Sequence, residues 1–236
     1  MIGNVPSAVT GWPRHEITRQ QLEPRRLGCK LLLPKAHYRF AARTGAEFLA
    51  AVAVIFSLCG VALASGPNVI MLRGWFGVFS TGLDTIADQL HAQGIKAEVA
   101  GHLQWSNAVS DILRDRSAGE SGPIVLIGHS QGANNVIDMA RSLETHNVKV
   151  DLLVTLSPFL QNPIPANVVK AINYYQAPGW GQPISADLGF HGKIVNINMA
   201  DDTTVTHVSI DKNSKVQSEI VHEIAALAQQ ANERRK

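Results

Sequence analysis

The chain has 236 residues, of which 45% are hydrophobic and 17% are charged, as in a globular protein with enough apolar side chains for a core. Residues 1–64 carry eight basic and three acidic side chains, net +5, whereas residues 65–236 carry thirteen and sixteen, net −3. Because the larger part is acidic and lacks a strongly basic stretch, the sequence predicts no nucleic-acid-binding surface. Both cysteines, Cys29 and Cys59, precede residue 65, so residues 65–236 contain no disulfide or thiolate chemistry.

The first 64 residues predict a basic leader followed by a targeting segment. Residues 1–45 are polar, basic and interrupted by prolines, which predicts disorder. Residues 48–64 are apolar and uncharged and end in Ala62-Leu63-Ala64, a pattern that signal peptidase cuts. We therefore expect a signal peptide and export to the periplasm or the medium. The alternatives are an uncleaved membrane anchor, for which about 20 residues are usual, and a buried core helix.

Residues 65–236 alternate between strand-like and helix-like segments. Apolar runs predict strands over 68–72, 95–99, 124–127, 148–156, 168–175 and 193–199. Apolar residues at helical spacing predict helices over 83–90, 106–116, 136–143 and 216–227, the last with Ser214 or Asp211 as its N-cap. This alternation predicts an α/β protein in which a mostly parallel sheet lies between two helical layers. The length of this part leaves no room for a lid domain, so we expect an open site.

A nucleophile motif lies at the centre of this pattern. The apolar run 124–127 predicts a strand buried on both faces. It leads into Gly128-His129-Ser130-Gln131-Gly132, a G-x-S-x-G pattern, and then into a predicted helix. A strand, a tight turn with Ser at its tip and a helix form the context in which this pattern indicates a nucleophile. There the Gln131 amide can donate to a developing oxyanion. The simpler interpretation is a serine in a glycine-rich turn.

In this context the chain resembles the α/β-hydrolase superfamily, in particular its lipases, esterases and thioesterases, where Gly-His-Ser-x-Gly is common. The resemblance implies a nucleophile at Ser130, then an acid and a base histidine in chain order. It also implies a second oxyanion donor in the loop after the first central strand, where this chain has Arg73-Gly74-Trp75. We expect the Trp75 amide to be that donor, with Gly74 and Phe76 as alternatives. The loop is otherwise an aromatic turn that packs on the core.

His207 is the expected base, because it follows the last predicted strand at the edge of the sheet where Ser130 emerges. The other histidines after Ser130 are His146, His191 and His222. Asp202 is the expected acid, with Asp201 and Asp187 as alternatives. Some lipases place the acid at the end of the strand that follows the nucleophile helix, but this chain has Ser157 there.

Together these residues predict a serine hydrolase that cleaves a carboxylic ester through an acyl-enzyme on Ser130. The expected substrate is a small-molecule or lipid acyl ester, and the mechanism requires neither a metal nor an organic cofactor. One alternative is a thioesterase or acyltransferase with the same triad. Another is a catalytically silent binding protein, which the absence of an unambiguous acid favours. Attachment to a membrane would involve residues 48–64, and the sequence does not indicate an oligomeric state.

Overall fold

The computed structural model describes residues 66–234, so the predicted leader and the apolar segment 48–64 lie outside the described residues. The strands are β1 (Asn68–Arg73), β2 (Lys96–Gly101), β3 (Ile124–His129), β4 (Leu152–Leu156), β5 (Lys170–Tyr175) and β6 (Lys193–Asn198). The helices are α1 (Gly82–His91), α2 (Trp105–Ser117), α3 (Gln131–Glu144) and α4 (Ser214–Glu233). Each helix in this part of the chain is too short or too polar to cross a bilayer.

All six strands are parallel, in the order β2-β1-β3-β4-β5-β6, which confirms the predicted parallel sheet. The chain winds outward from β1 to β2 and then returns past β1 to β3, so the direction of winding reverses between β1 and β3. In open α/β sheets the carboxyl ends of strands at such a reversal leave a crevice, because the loops leave towards opposite faces. The predicted nucleophile strand, β3, therefore ends beside a crevice.

Helices cover both faces of the sheet, and for this reason the central strands β3 and β4 are buried along their whole length. Every residue of β3 is buried, as the sequence predicted for a strand without an exposed face. Helices α1 and α4 pack on one face, and α2 and α3 pack on the other. The chain thus forms the predicted three-layer sandwich, with α1 and α3 on opposite sides of the crevice.

The predicted strand 148–156 is shorter in the structure than in the prediction. Pairing with β3 begins at Leu152, and Val150 contributes a single bridge to Val168. The reason is local, since the Asp151 side chain accepts a hydrogen bond from the Ile124 amide at 3.0 Å, where a strand would continue the ladder.

The predicted cap of the last helix is wrong. Asn213 is the N-cap of α4, and its side-chain oxygen accepts a hydrogen bond from the Val216 amide at 3.1 Å. The buried carboxylate of Asp211 instead accepts a hydrogen bond from the amide of Gly82, the first residue of α1, at 2.8 Å. A carboxylate is favourable at a helix N-terminus, so Asp211 fastens the loop before α4 to the start of α1.

Candidate active site

The turn between β3 and α3 holds Ser130 in a strained backbone conformation, with φ 57° and ψ −122°. A non-glycine residue in such a region costs on the order of 1–3 kcal/mol unless its surroundings fix it. Here the Ser130 amide donates to the Leu156 carbonyl at 2.9 Å, and the Ser130 carbonyl accepts from the Ala133 amide at 3.0 Å. The turn thus has the geometry expected of a nucleophile elbow, with the hydroxyl at the carboxyl edge of the sheet.

Three glycines allow the backbone segments around Ser130 to approach one another. A Cβ atom at Gly132 would overlap the carbonyl oxygen of Leu72, and one at Gly128 would overlap the backbone of Gly132. A Cβ atom at Gly74 would lie 2.9 Å from the Cβ atom of Ser130. Larger residues at these positions would push β1, β3 and α3 apart, which explains the glycines on both sides of the serine.

The structure brings the predicted nucleophile and base together. The hydroxyl of Ser130 lies 2.9 Å from Nε2 of His207, which follows β6 in the loop before α4. The pKa of His207 is lowered to about 4, mainly by burial and in smaller part by the neighbouring His129, while the charge of Asp211 opposes both. His207 is therefore neutral at pH 7, and its Nε2 can accept the serine proton. Its Nδ1 is buried and has no hydrogen-bond partner among the described residues.

The three candidate acids lie elsewhere, since Nδ1 of His207 has no partner in this part of the chain. The carboxylate of Asp202 accepts hydrogen bonds from the Thr204 amide at 3.0 Å and the Asn213 side chain at 3.1 Å. Hydrogen bonds from Thr204 are the main reason why the pKa of Asp202 is lowered. Asp187 forms an ion pair with Arg141. The structure therefore lacks the expected contact of Asp202 with His207, as well as the alternative contacts of Asp201 and Asp187, and the acid role stays a prediction.

A buried chain of hydrogen bonds connects three loops of the site, and sequence reasoning missed it. In the ring of His129, Nε2 is 2.7 Å from the carbonyl oxygen of His207, and Nδ1 is 2.8 Å from Oγ of Ser80. The Gly74 amide in turn donates to Oγ of Ser80 at 3.0 Å. One signal was present in the sequence, because a histidine at the end of a fully buried strand needs polar partners. Nothing in the sequence pointed to Ser80.

Two backbone amides, those of Gln131 and Trp75, are the predicted oxyanion donors. Gln131 is the first residue of α3, and its amide has no acceptor within the helix. The Gly74 amide is engaged by Ser80, which removes one of the three candidates in the loop after β1. In residues 66–234, neither the Trp75 amide nor the Gln131 amide donates to a protein acceptor. These amides remain the predicted pair of donors.

Aromatic side chains surround the nucleophile. A cavity of about 180 Å³ is lined by Gly74, Trp75, Phe76, Phe79, Ser80, His129, Ser130, His207 and Val208. Beside it, the ring of Phe159 lies 5.5 Å from Trp75 and 5.6 Å from Trp180, measured between centroids. The ring of Trp180 lies 4.6 Å from that of His207. Trp75, Phe159 and Trp180, which we call the ring row, are each between 42% and 50% exposed and form an open apolar surface.

A larger hollow of about 450 Å³ lies at the opposite edge of the sheet, where Asn68, Lys96 and Ile124 begin β1, β2 and β3. It contains neither Ser130 nor His207, so the predicted chemistry belongs to the smaller cavity. Within the described residues, no group of three or more His, Cys, Asp or Glu side chains is arranged to hold a metal ion.

No family model and no curated protein sequence matches the chain. Similar solved structures include a protein described as a hydrolase of the alpha/beta superfamily from Xanthomonas campestris pv. campestris, at 18% identity and a TM-score of 0.37, covering 67% of this chain and 99% of that one. A cutinase-like protein from Cryptococcus sp. is 15% identical, with a TM-score of 0.44 over 70% of this chain and 97% of that one.

A third similar structure is the type II thioesterase BorB from the borrelidin biosynthetic cluster, at 11% identity and a TM-score of 0.43 over 68% of this chain and 93% of that one. In this chain the winding of the parallel sheet reverses between β1 and β3, and the turn that carries Ser130 lies at that reversal. Residues 66–234 thus form a three-layer α/β sandwich around an all-parallel six-stranded sheet, the fold that the resemblance implied.

Proposed function

We propose that the protein is a serine hydrolase that cleaves carboxylic esters. The observation that carries the proposal is the 2.9 Å separation of Ser130 Oγ and His207 Nε2 on the strained turn. Ser130 attacks the acyl carbonyl while its proton passes to His207, which then protonates the departing alcohol. Water, activated by His207, attacks the acyl-enzyme, releases the carboxylic acid and restores the Ser130 hydroxyl.

The oxyanion of each tetrahedral intermediate would be bound by the amides of Gln131 and Trp75. Each such donor is worth roughly 3–4 kcal/mol of the activation barrier when it is fixed in advance. Fixation is supported on both sides, because α3 holds Gln131 and the Gly74–Ser80 hydrogen bond holds the residue before Trp75.

The surroundings of Ser130 support an ester with an apolar acyl chain. Sites that enclose a drug-sized ligand usually measure about 300–1,000 Å³, whereas this cavity has about 180 Å³. We propose that the cavity takes the reacting carbonyl and that the rest of the chain lies on the ring row. Burial of half-exposed aromatic rings against an apolar chain is energetically favourable, and this favours esters with apolar acyl chains over esters with polar ones.

The experiment is hydrolysis of p-nitrophenyl esters from acetate to decanoate, comparing the wild type with Ser130→Ala. We expect kcat/KM to fall by at least about 10³-fold in the variant, because the nucleophile is absent. Ser110→Ala, which alters an exposed serine on α2, is the matched control and should retain full activity. A fluorophosphonate probe should modify Ser130. Equal rates in the wild type and Ser130→Ala would overturn the proposal.

One observation favours a catalytically silent binding protein as the second candidate, namely that Nδ1 of His207 has no hydrogen-bond partner in residues 66–234. A base without a carboxylate partner is less stabilised when it takes up a proton. This candidate predicts that the protein binds a fatty acid but that the fluorophosphonate probe leaves Ser130 unmodified.

Acyl thioesters should be tested in the same hydrolysis assay, because a thioesterase would hydrolyse them faster than the corresponding oxygen esters.

We also propose that the protein is exported and that residues 1–64 are removed. The support is the apolar segment 48–64 with its Ala62-Leu63-Ala64 end. N-terminal sequencing of the exported protein should begin at Ser65, whereas retention of the segment in the membrane fraction would favour the anchor.

A further inference from the structure

In the part of the chain that the structure describes, His207 lies beside Ser130 but has no carboxylate bonded to its ring. In a Ser-His-Asp triad, the acid bonds to Nδ1 of the histidine and fixes the orientation of the imidazole. Within residues 66–234, Nδ1 of His207 is buried and unpartnered, yet its Nε2 lies 2.9 Å from Ser130 Oγ. Contacts other than a carboxylate bond therefore have to hold the ring.

One such contact comes from His129, which hydrogen-bonds the backbone carbonyl of His207, and the direction of this bond is fixed by chemistry. A carbonyl oxygen can only accept, so Nε2 of His129 carries the proton and donates to the His207 carbonyl at 2.7 Å. Its Nδ1 is then an acceptor, and the Ser80 hydroxyl donates to it at 2.8 Å. The Ser80 oxygen in turn accepts from the Gly74 amide. We call this chain of three hydrogen bonds the His129 relay.

Burial makes the relay a fixed part of the site. His129 and Ser80 are each 1% exposed, so water does not readily replace either partner. Burial is also the main reason why the pKa of His129 is lowered, which leaves one proton on the ring, as the relay requires. Trp180 lies against the ring of His207, with centroids 4.6 Å apart, and limits its rotation.

We propose that His129, set by Ser80, is a positioning residue that holds His207 against Ser130 in place of an acid bonded to the imidazole. The inference rests on the proposed function, since positioning matters only if Ser130 and His207 react. The relay begins at Gly74, next to the expected oxyanion donor Trp75. One chain of hydrogen bonds thus aligns the base and the oxyanion loop together.

Two substitutions at His129 separate positioning from packing. In His129→Gln the side-chain amide nitrogen takes the place of Nε2 and still donates to the His207 carbonyl. In His129→Asn the shorter side chain reaches only Ser80, so the hydrogen bond to the His207 carbonyl is lost. Because displacement of a reacting group by about 1 Å costs up to roughly 10²-fold, we expect His129→Asn to lower kcat about 10- to 100-fold with KM within about twofold. His129→Gln should keep kcat within about fivefold.

The control is His146→Gln on the surface, which should leave kcat unchanged. Equal kcat values in His129→Asn and His129→Gln would overturn the proposal, because a packing role affects both alike. If His129→Asn does not fold, Ser80→Ala and Ser80→Thr decide. A kcat that falls at least fivefold in Ser80→Ala and is restored to the wild-type value in Ser80→Thr would support the relay. Equal kcat values in the two variants would contradict it.

A spectroscopic measurement makes the test independent of activity. Long-range proton–nitrogen NMR of the Ser130→Ala protein should show His129 protonated at Nε2, and protonation at Nδ1 would overturn the relay. The proposed function fails differently, through equal ester hydrolysis by the wild type and Ser130→Ala. The two failures are therefore distinguishable.

Discussion

The two sides of the candidate site are built in different ways. On the nucleophile side, Ser130 lies between a fully buried strand and a helix, and backbone atoms fix its position. On the base side, His207 lies in a loop that side chains fasten. The Gln176 amide donates to the Val205 carbonyl at 2.8 Å, and the Lys212 ammonium donates to the Val208 carbonyl at 2.7 Å. Single substitutions can therefore remove the hydrogen bonds that hold the His207 loop one at a time. On the nucleophile side, a single substitution should disrupt the whole turn around Ser130.

The largest effect is expected from Gly132→Ala, which breaks the nucleophile side. The new methyl group would overlap the Leu72 carbonyl, so β1 and α3 would have to separate. Overpacking of this kind costs about 3 kcal/mol, which lowers the Tm of a domain of this size by about 6–12 °C. Ester hydrolysis should be lost as well.

Gly66→Ala is the matched control for this change, because a Cβ atom there would have no neighbour within 4 Å among residues 66–234. Its Tm and activity should be those of the wild type. A Gly132→Ala protein with an unchanged Tm, measured by thermal denaturation, would show that the elbow is less tightly packed than the structure indicates.

The protonation of His207, on the base side, should determine the pH dependence of kcat/KM. His207 acts as a base only when it is unprotonated, and burial lowers its pKa to about 4. We therefore expect kcat/KM to stay constant from pH 8 to about pH 5 and to fall with a midpoint near pH 4. A midpoint near 6.5, the ordinary value for histidine, would contradict the burial of this ring.

The same shift has a consequence for stability. The pKa of His207 is lower in the folded state than in the unfolded state, so the unfolded protein binds more protons as the pH falls below about 6.5. The free energy of unfolding should therefore decrease between about pH 6.5 and pH 4, which urea titrations at several pH values can measure.

The difference between the two sides also explains what the sequence could predict. The nucleophile side is encoded locally, because strand 124–127, the glycines and the helix are adjacent in the chain and follow period and steric rules. The parallel sheet follows from the same strand–helix alternation, and His207 follows from its place after the last strand.

The base side depends on contacts between distant residues, which no local pattern encodes. His129 and the His207 carbonyl are 78 residues apart, and Asp211 and Gly82 are 129 apart. For the same reason the sequence could not indicate which side chains contact Asp202. Asp202 is five residues from His207 in sequence, but its carboxylate is turned towards Thr204 and Asn213.

A smaller effect is expected from Ser130→Gly compared with Ser130→Ala. Both remove the nucleophile, but only glycine adopts φ 57° and ψ −122° without strain. The relief of strain exceeds the entropic cost of glycine by about 1 kcal/mol, which raises the Tm of Ser130→Gly above that of Ser130→Ala by about 2–4 °C. Equal Tm values would mean that the turn relaxes around alanine.

The smallest effect is expected from Asp202→Asn. The sequence predicts a large loss for a triad acid, whereas the structure predicts a change in kcat/KM of less than about threefold, because no carboxylate bonds to Nδ1 of His207 in the described residues. The asparagine oxygen can still accept from Thr204 and Asn213, so the loop should keep its shape. Asp187→Asn is the companion variant, since it loses only a partly exposed ion pair with Arg141, which is worth at most about 1 kcal/mol. If Asp202→Asn lost activity by more than about 100-fold while Asp187→Asn did not, the loop would have to rearrange in the working enzyme, and His207 would have a carboxylate partner after all.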